Sequence, residues 1–475
     1  MLYSGETMKR AKTLFVLTVV AGLLAAACGG RADDPVSEEG SGTTAVSTPP
    51  GEAGGIDCTE EAPEATEVGV TADTITIEVM ADVGASAAPG LFQGNHDALS
   101  AFEQYVNDNG GIACRQLEVT LWDTRLDADE SLNGQIDACQ NALALVGSNA
   151  LFNPDVTPTA TCPDRAGVET GIPDIAALAN DINQRCNETT FLIQGVAETC
   201  DTLTGERIVT SFVGFTNYVL DQNDGDLRGL FMVPGDLPTT VQSATYLINA
   251  AEEAGVVWDS TLRVSGRDEQ AAYTPRVQRV SADGSNFVYN GANDRAMVAM
   301  RQESAAQGLT GVDVWACSQA CYTRNFLETG GSDAEGTYVW MQFLPFEEAD
   351  TNAAAQAYVD GVGIDNADSF GAQAFQAALL FEHVIDAIVA TDGINGITRA
   401  RMLEVLAETD DFTADGWMGT EGKDLRGFGN CQVILQVQDG SFVRVFPEEE
   451  GTLHCDDANT VQQTLDPAVE AETIE

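Results

Sequence analysis

Regular alternation of strand-like and helix-like segments constrains this 475-residue chain more than any other feature. Residues 75–80 have the period-two, β-branched pattern of a strand, residues 95–107 place apolar side chains on one helical face, and residues 117–122 are strand-like again. The same order returns later, with strands predicted over 230–233, 287–291, 312–315 and 338–341, and with a largely apolar helix over about 370–390. Strands that alternate with helices of this length predict parallel sheets covered by helices on both faces. Two such blocks predict an α/β protein of two lobes.

The N-terminus has the order of an export signal. Basic residues 9–12 precede an apolar stretch over 14–24, and small residues 25–27 lead directly to Cys28. A cysteine at this point resembles the bacterial lipobox, which implies cleavage before Cys28, lipidation of its thiol and an anchor on the outer face of the cell membrane. A plain secretory signal with a chance cysteine remains the alternative. No second membrane span is expected, since no later stretch has eighteen consecutive apolar residues.

Ten cysteines remain after Cys28, and an even number in an exported chain predicts five disulfides. Neighbourhood in sequence suggests the pairs Cys186–Cys200, Cys317–Cys321 and Cys431–Cys455, and the pairs Cys139–Cys162 and Cys58–Cys114 would complete the set. Neighbourhood does not fix the connectivity, so other pairings stay open.

Two segments lack the apolar residues needed for a core. Residues 29–68 are rich in Gly, Ser, Thr, Pro and acids, which predicts a flexible tether that Cys58 pins back to the folded body. Residues 447–475 are predicted to be a C-terminal tail that is frayed from 456 onward.

The formal net charge of −52 rests on 74 acidic against 22 basic residues, and Lys423 is the only lysine after the signal. Such acidity argues against nucleic acid and anionic lipid as partners. Because the acids are spread along the whole chain, we interpret them as a solvated acidic surface.

Catalytic motifs are missing from the sequence. The three histidines, His96, His383 and His454, are isolated, and the chain has no phosphate-binding loop, GxSxG or HExxH pattern. Cys317 and Cys321 are spaced for a local disulfide more than for a metal site. The sequence therefore predicts neither an enzyme nor a metal or cofactor.

The turns that follow the strands predict a ligand-binding cleft instead. In open α/β sheets, ligands bind at the carboxyl ends of the strands, where helix N-termini attract carboxylates and other anions. Small and polar residues are enriched in the turns 83–93, 147–153, 177–181, 235–240, 291–294 and 316–322. Any one of these turns is explained as a capped helix, so the prediction depends on their co-occurrence.

The chain resembles the type I periplasmic binding proteins, in particular the solute-binding lipoproteins for branched-chain amino acids and amides. The resemblance runs from about 69 to 446 and is carried by residues 69–77 (GVTADTITI), 106–112 (VNDNGGI), 338–346, 422–428 (GKDLRGF) and the closing strand 433–437 with 439–442. It implies two lobes joined by three crossing strands, with residues 69–193 and 335–428 in lobe I and residues 194–334 and 429–446 in lobe II. It also implies hinge closure on a small solute and delivery by a monomeric receptor to an ABC transporter permease.

The resemblance places the ligand site at Phe92, Gln93, Ser148, Asn149, Ala150, Ala177, Leu178, Asn180, Thr239, Asn293, Ser318 and Gln319. The family's carboxylate-binding hydroxyl is missing from 177–180, and no acid stands at 318–319 to hold an ammonium group. Because a buried ammonium without a partner is costly, the ligand is predicted to be a small polar solute other than a simple α-amino acid.

Other functions fit the same sequence. A sensory module that signals to a membrane partner without transport uses the same fold, so the fold does not separate it from a receptor. An exported enzyme would need a clustered acid–base or nucleophile set, and a structural remnant would have its cleft filled by bulky side chains.

Overall fold

Two parallel sheets organise the protein. The computed structural model describes residues 58–59, 61–86, 88–194, 197–419, 425–427 and 429–475, which all belong to one unit, Ser47–Glu475. Cys28, the export signal and the tether up to residue 57 lie outside the described residues. We call the body around the first sheet lobe I and the body around the second sheet lobe II.

Lobe I begins with nine elements. They are β1 (Thr74–Ala81), α1 (Gln93–Asp108), β2 (Gln116–Asp123), α2 (Ala128–Asn141), β3 (Ala144–Val146), α3 (Thr157–Ala160), β4 (Asp174–Leu178), α4 (Ile182–Arg185) and β5 (Thr190–Gln194). The five strands form one parallel sheet in the order β2-β1-β3-β4-β5. The alternation in the sequence predicted β1, α1 and β2, because each carries its own apolar period.

The chain then builds most of lobe II. The elements are β6 (Ala197–Glu198), β7 (Arg207–Phe212), α5 (Gly214–Gln222), β8 (Arg228–Pro234), α6 (Pro238–Ala254), β9 (Val257–Val264), α7 (Thr274–Asp283), β10 (Phe287–Asn290), α8 (Asp294–Gln307), β11 (Val314–Cys317), α9 (Arg324–Gly330) and β12 (Thr337–Met341). Helices α10 (Ala353–Val362), α11 (Ser369–Asp392) and α12 (Arg399–Glu408) return to lobe I. The last elements are β13 (Cys431–Gln438), β14 (Ser441–Phe446), β15 (His454–Cys455), β16 (Thr460–Leu465) and α13 (Pro467–Glu472).

The second sheet has the order β14-β13-β12-β11-β10-β8-β9, and β15 pairs with β13. Strands β8 to β12 are parallel, whereas β13 and β14 run antiparallel to their neighbours. Since β12 belongs to this sheet, the chain returns to lobe I after Met341, several residues later than the boundary expected at 335. The expected boundary was wrong because β12 pairs with β11 along their length, which the sequence pattern does not reveal.

Helix α11 lies over the first sheet. By length and composition it is the one described helix that could cross a membrane, but 61% of its apolar window is buried inside the protein. Phe375 of α11 contacts Phe102 of α1, and Ala374 lies close to Gly147, which follows β3. Helix α11 is therefore a core helix of lobe I.

The structure pairs the ten described cysteines as Cys58–Cys114, Cys139–Cys162, Cys186–Cys200, Cys317–Cys321 and Cys431–Cys455. These are the same five pairs that the sequence suggested.

The end of the predicted tether is packed against lobe I. Arg115 donates hydrogen bonds to the carbonyls of Glu64 and Thr71, and the Thr66 hydroxyl donates to Ile397 O at 2.6 Å. Glu67 is 3% exposed and its carboxylate accepts from the Arg165 and Arg399 backbone amides. The expectation of flexibility was wrong for residues 61–68, because side chains far along the chain satisfy this polar backbone.

The C-terminal residues are ordered on lobe II, so the prediction of a frayed end was wrong. Strand β16 pairs antiparallel with β7, and β7 pairs with β6, which gives a third sheet of three strands. Leu465 packs against Val209 and Tyr246, and the backbone of Glu475 bonds that of Thr261 and Arg263. Polar composition misled the prediction, because β16 needs only its alternate residues to be buried.

The packing of β16 is tested by replacing Leu465 with Ala. Leu465 is 5% exposed, so the variant should lose about 2–5 kcal/mol of unfolding free energy. Urea denaturation measures the loss. The neighbouring Thr464 is exposed, so Thr464→Ala should cost much less. Equal and small losses for both variants would mean that the segment is frayed in solution.

Glu78 is a buried acid in the middle of β1. It is fully buried and both carboxylate oxygens lack a hydrogen-bond partner among the described residues. Burial, together with the nearby Asp137 carboxylate, raises the pKa of Glu78 from 4.5 to about 9. The folded state therefore keeps a proton that the unfolded state loses, so this group's contribution to stability falls as pH rises from 4.5 towards 9.

Glu78→Gln removes this titration. We expect the variant to be more stable than the wild type at pH 8, with a difference that shrinks as the pH approaches 5. Thermal unfolding at several pH values measures the difference. Glu169→Gln, at an exposed position, is the control and should leave the pH dependence unchanged. A pH-independent difference for Glu78→Gln would contradict the assignment.

Candidate functional site

The two lobes meet where the strands of lobe I end and helices of lobe II begin. The Thr239 hydroxyl in the first turn of α6 donates to Leu151 O at 3.0 Å, and the Ser243 hydroxyl one turn later donates to Asn180 O at 3.3 Å. The Ser369 hydroxyl, at the start of α11, donates to Gln319 O at 3.0 Å. The lobes are therefore in direct contact at the turns where the sequence predicted a cleft.

The lobe I turn at 148–151 forms one wall of this cleft. Ser148 is buried, and its hydroxyl accepts from the Met80 amide at 3.0 Å, so it holds β3 against β1. Ala150 is also buried. The buried Asp82 carboxylate accepts from the Leu151 amide at 2.8 Å and from the Thr124 hydroxyl at 2.6 Å. Asp82 thus fixes the carbonyl that Thr239 contacts, and its burial raises its pKa.

Asn149 stands apart in this turn. Its side chain is fully buried, and neither the amide oxygen nor the amide nitrogen has a hydrogen-bond partner among the described residues. A buried amide without partners costs about 1–3 kcal/mol, so such groups are rare unless water or a ligand satisfies them. Of the twelve predicted site residues, Asn149 is the one whose side-chain polar atoms are all buried and unpaired among the described residues.

The end of β4 and the turn after it carry three more predicted residues. The amides of Ala177 and Leu178 donate to Ser148 O, so the end of β4 is bonded to the turn after β3. Ala177 is fully buried, and Asn180 faces lobe II through its backbone carbonyl. Asn180 therefore contacts lobe II through its backbone carbonyl rather than through its side chain.

The remaining lobe I residues line the start of α1. The Phe92 ring packs edge-on against Phe370 with 4.8 Å between ring centroids. The Gln93 amide donates to the Asp97 carboxylate at 2.8 Å within the same helix. Phe92 is 3% exposed in this arrangement.

Two predicted side chains of lobe II serve as helix caps. The Asn293 side chain accepts from the Ala296 amide at 3.1 Å, and the Ser318 hydroxyl accepts from the Ala320 amide at 3.4 Å. The Asn293 amide oxygen and the Ser318 hydroxyl oxygen are therefore engaged within lobe II. Gln319 contacts lobe I through its carbonyl, inside the short loop that the Cys317–Cys321 disulfide closes.

Sequence reasoning missed a set of buried glutamines near the first crossing between the lobes. The Gln373 amide on α11 donates to Gln194 at the end of β5 at 2.8 Å. Within the described part of the chain, Gln376 has neither of its polar side-chain atoms paired, and Gln194 and Gln373 each keep one unpaired atom. Two glutamines three residues apart in an apolar helix were the available signal, since charged or amide groups rarely enter such a helix without a role.

Acidic groups gather at one edge of the cleft. Asp368 caps α11 by accepting from the Gly371 amide at 2.7 Å. Burial, with smaller effects from the Asp97 and Asp294 carboxylates, raises the pKa of Asp368 to about 6. Asp294 belongs to lobe II, so carboxylates of both lobes approach each other here. Among the described residues, no group of three or more His, Cys, Asp or Glu is arranged to hold a metal ion.

One cavity lies elsewhere. It has a volume of about 180 Å³ and is lined by α6, β9 and α13, with Glu252 and Glu470 in its wall. Because it opens on a different face of α6 from Thr239 and Ser243, it is separate from the cleft.

Asn149→Leu tests whether this amide is kept for a ligand. Leucine has nearly the same shape and removes the unpaired polar atoms, so the variant should be as stable as the wild type or more stable without ligand. Thermal unfolding measures this. The matched control is Asn95→Leu, since the Asn95 amide donates to Gly147 O at 2.8 Å and its loss should destabilise the protein. A large loss of stability in Asn149→Leu would indicate a structural role.

The comparisons with known proteins find similarity in structure alone. No protein-family model matches the chain, and no curated protein matches it in sequence. A leucine-binding protein of Thermotoga maritima has 14% identity and a TM-score of 0.57, over 81% of this chain and 99% of its own. A fatty acid ABC transporter substrate-binding protein of Thermomonospora curvata has 17% identity and a TM-score of 0.58, over 82% of this chain and 95% of its own.

A third solved structure is an extracellular ligand-binding receptor of Rhodopseudomonas palustris, with 16% identity and a TM-score of 0.58, over 78% of this chain and all of its own. These proteins share the arrangement of two α/β lobes around a cleft. The chain has the two-lobed fold of the type I periplasmic binding proteins.

Proposed function

We propose that the protein is an extracytoplasmic solute-binding receptor that captures a small polar organic solute between its lobes and delivers it to an ABC importer permease. It is a binding protein rather than an enzyme in this proposal. One observation carries it. The buried amide of Asn149 is unpaired among the described residues. It lies in the same turn as Leu151, whose carbonyl accepts a hydrogen bond from the Thr239 hydroxyl of lobe II.

The contacts across the cleft suit reversible closure. They join hydroxyls of Thr239, Ser243 and Ser369 to backbone carbonyls, and a hydrogen bond of this kind contributes only about 0.5–1.5 kcal/mol net. A bound solute could therefore decide the balance between open and closed lobes. Small contacting side chains also argue against a structural remnant with a cleft filled by bulky groups.

The solute is proposed to bind at the predicted residues, with Asn149 as the central contact. The chemistry favours a ligand that both donates and accepts hydrogen bonds, because an amide side chain offers both. The neighbouring folds are named for leucine and for a fatty acid, so the fold alone does not select a solute. The lipid anchor at Cys28 and a monomeric state belong to the same proposal.

A thermal-shift screen of the disulfide-intact protein without its signal tests the function. The panel contains amides, polyols, short carboxylates, aromatic acids and amino acids. A solute at 100 times its dissociation constant adds about 2.7 kcal/mol to stability, so a saturable shift is expected for one chemical class. Asn149→Leu should abolish that shift. A wild-type protein that is folded and gives no shift with any class would contradict the proposal.

Sensing without transport is the alternative, and the same binding result would support it. Uptake of the identified solute separates the two. Cells that lack the protein should lose high-affinity uptake if it serves an importer, whereas undiminished uptake would favour the sensor.

A further inference from the structure

Arg185 is a buried cation at the junction of the two lobes. It ends α4 in lobe I, and its side chain is 4% exposed. Its guanidinium pairs with the Glu198 carboxylate and donates to the hydroxyl of Tyr246 on α6 at 3.2 Å. Glu198 and Tyr246 belong to lobe II, so one side chain of lobe I is bound to two elements of the other lobe.

The same guanidinium holds the turn after β4. One of its terminal nitrogens donates to Ala179 O at 3.3 Å and also to Asn180 O. Asn180 O is the carbonyl that the Ser243 hydroxyl contacts from α6. Arg185 therefore bonds to the backbone of the predicted ligand-binding turn and to the helix that closes over it.

The partners of Arg185 form a closed network. The Tyr246 hydroxyl donates to Glu198 at 3.2 Å, and Arg207 of β7 also pairs with Glu198 at 3.2 Å. The Glu198 side chain is 1% exposed, and that of Arg207 is 6% exposed. Charge-assisted hydrogen bonds between such buried groups are strong, because water is excluded and the local dielectric constant is low. The planar guanidinium fits several acceptors at once, which a lysine ammonium does not.

Helix α6 meets lobe I along a single stripe. Thr239, Ser243 and Tyr246 lie four and three residues apart, so they share one face of the helix. Their partners in lobe I are Leu151 O, Asn180 O and Arg185. Arg185 is the charged and most buried end of this stripe.

The covalent structure keeps Arg185 beside the first crossing. Cys186, the next residue, is joined to Cys200, and the chain passes from Gln194 of β5 to Ala197 of β6 between these cysteines. The network thus lies where the lobes are already tied together and where rotation moves atoms least. When the lobes open, Arg185 can stay bonded to Tyr246 while the hydrogen bonds of the Thr239 and Ser243 hydroxyls break.

We propose that Arg185 is a positioning residue of the binding cleft, which fixes the 179–180 turn against helix α6 and lets the lobes open about this point. This proposal concerns how the binding site is held and opened, and it rests on the proposed receptor function. Arg185 need not touch the solute.

Hydrogen exchange of Arg185→Met and Arg207→Met tests the proposal. Both side chains are buried and pair with the same Glu198, but only Arg185 bonds the 179–180 turn. We expect Arg185→Met to speed exchange in peptides covering 175–181 by about tenfold beyond any change in Arg207→Met. Arg185→Lys keeps the charge but loses the planar guanidinium with its several N–H donors, so it should give an intermediate exchange rate.

Equal acceleration of these peptides in the two methionine variants would overturn the proposal and make Arg185 a structural charge only. If Arg185→Met fails to fold, Ser243→Ala and Arg185→Lys decide the matter, since each removes part of the same contact. Unchanged exchange at 175–181 in both would also overturn it.

This result is distinct from that of the solute screen. Selective loosening in Arg185→Met with no solute found would keep the positioning role and reject the receptor. A solute shift in the wild type with equal exchange in both methionine variants would keep the receptor and reject the positioning role.

Discussion

The three passages of chain between the two sheets determine how the rest of the molecule is arranged. The first runs from Gln194 to Ala197, the second follows Met341, and the third reaches Cys431. The Gln342 amide donates to Gly429 O at 2.8 Å, so the second and third passages are bonded to each other. Asn459, from the C-terminal segment, donates to Asn430 O at 2.7 Å and thereby adds the chain's own end to the same region. The lobes are therefore held firmly at the crossings and lightly at the cleft.

That imbalance accounts for the proposed behaviour of the cleft. At the crossings the Cys186–Cys200 disulfide and the buried Arg185–Glu198 ion pair join the two lobes, and both resist their separation. At the cleft there are hydroxyl–carbonyl bonds of modest net strength and an exposed ion pair between Arg324 and Asp365, whose contribution is small in water. A molecule built in this way opens at the cleft before it loosens at the crossings. In the proposed function, the buried amide of Asn149 then becomes available to a solute that can satisfy both of its polar atoms.

The elements that the sequence predicted well are those with a local signal. The strands β1 and β10 and the helix α1 carry their own apolar period, so their bounds were predicted to within a few residues. Strand β16 was missed because its stability comes from β7, about 250 residues away, as the pairing of Val461 with Ser211 illustrates. The cleft was predicted as a set of turns, but the roles within it were not. Asn293 and Ser318 proved to be helix caps, and Arg185 has no sequence signal, because its partners come together only in the folded protein.

The most direct test of the receptor account is native mass spectrometry after the protein has been equilibrated with a low-molecular-mass metabolite extract. After buffer exchange, the account predicts one added small molecule per chain, which is released on unfolding and is absent from Asn149→Leu. A protein that keeps its five disulfides and its fold, yet shows only its bare mass in both forms, would contradict it.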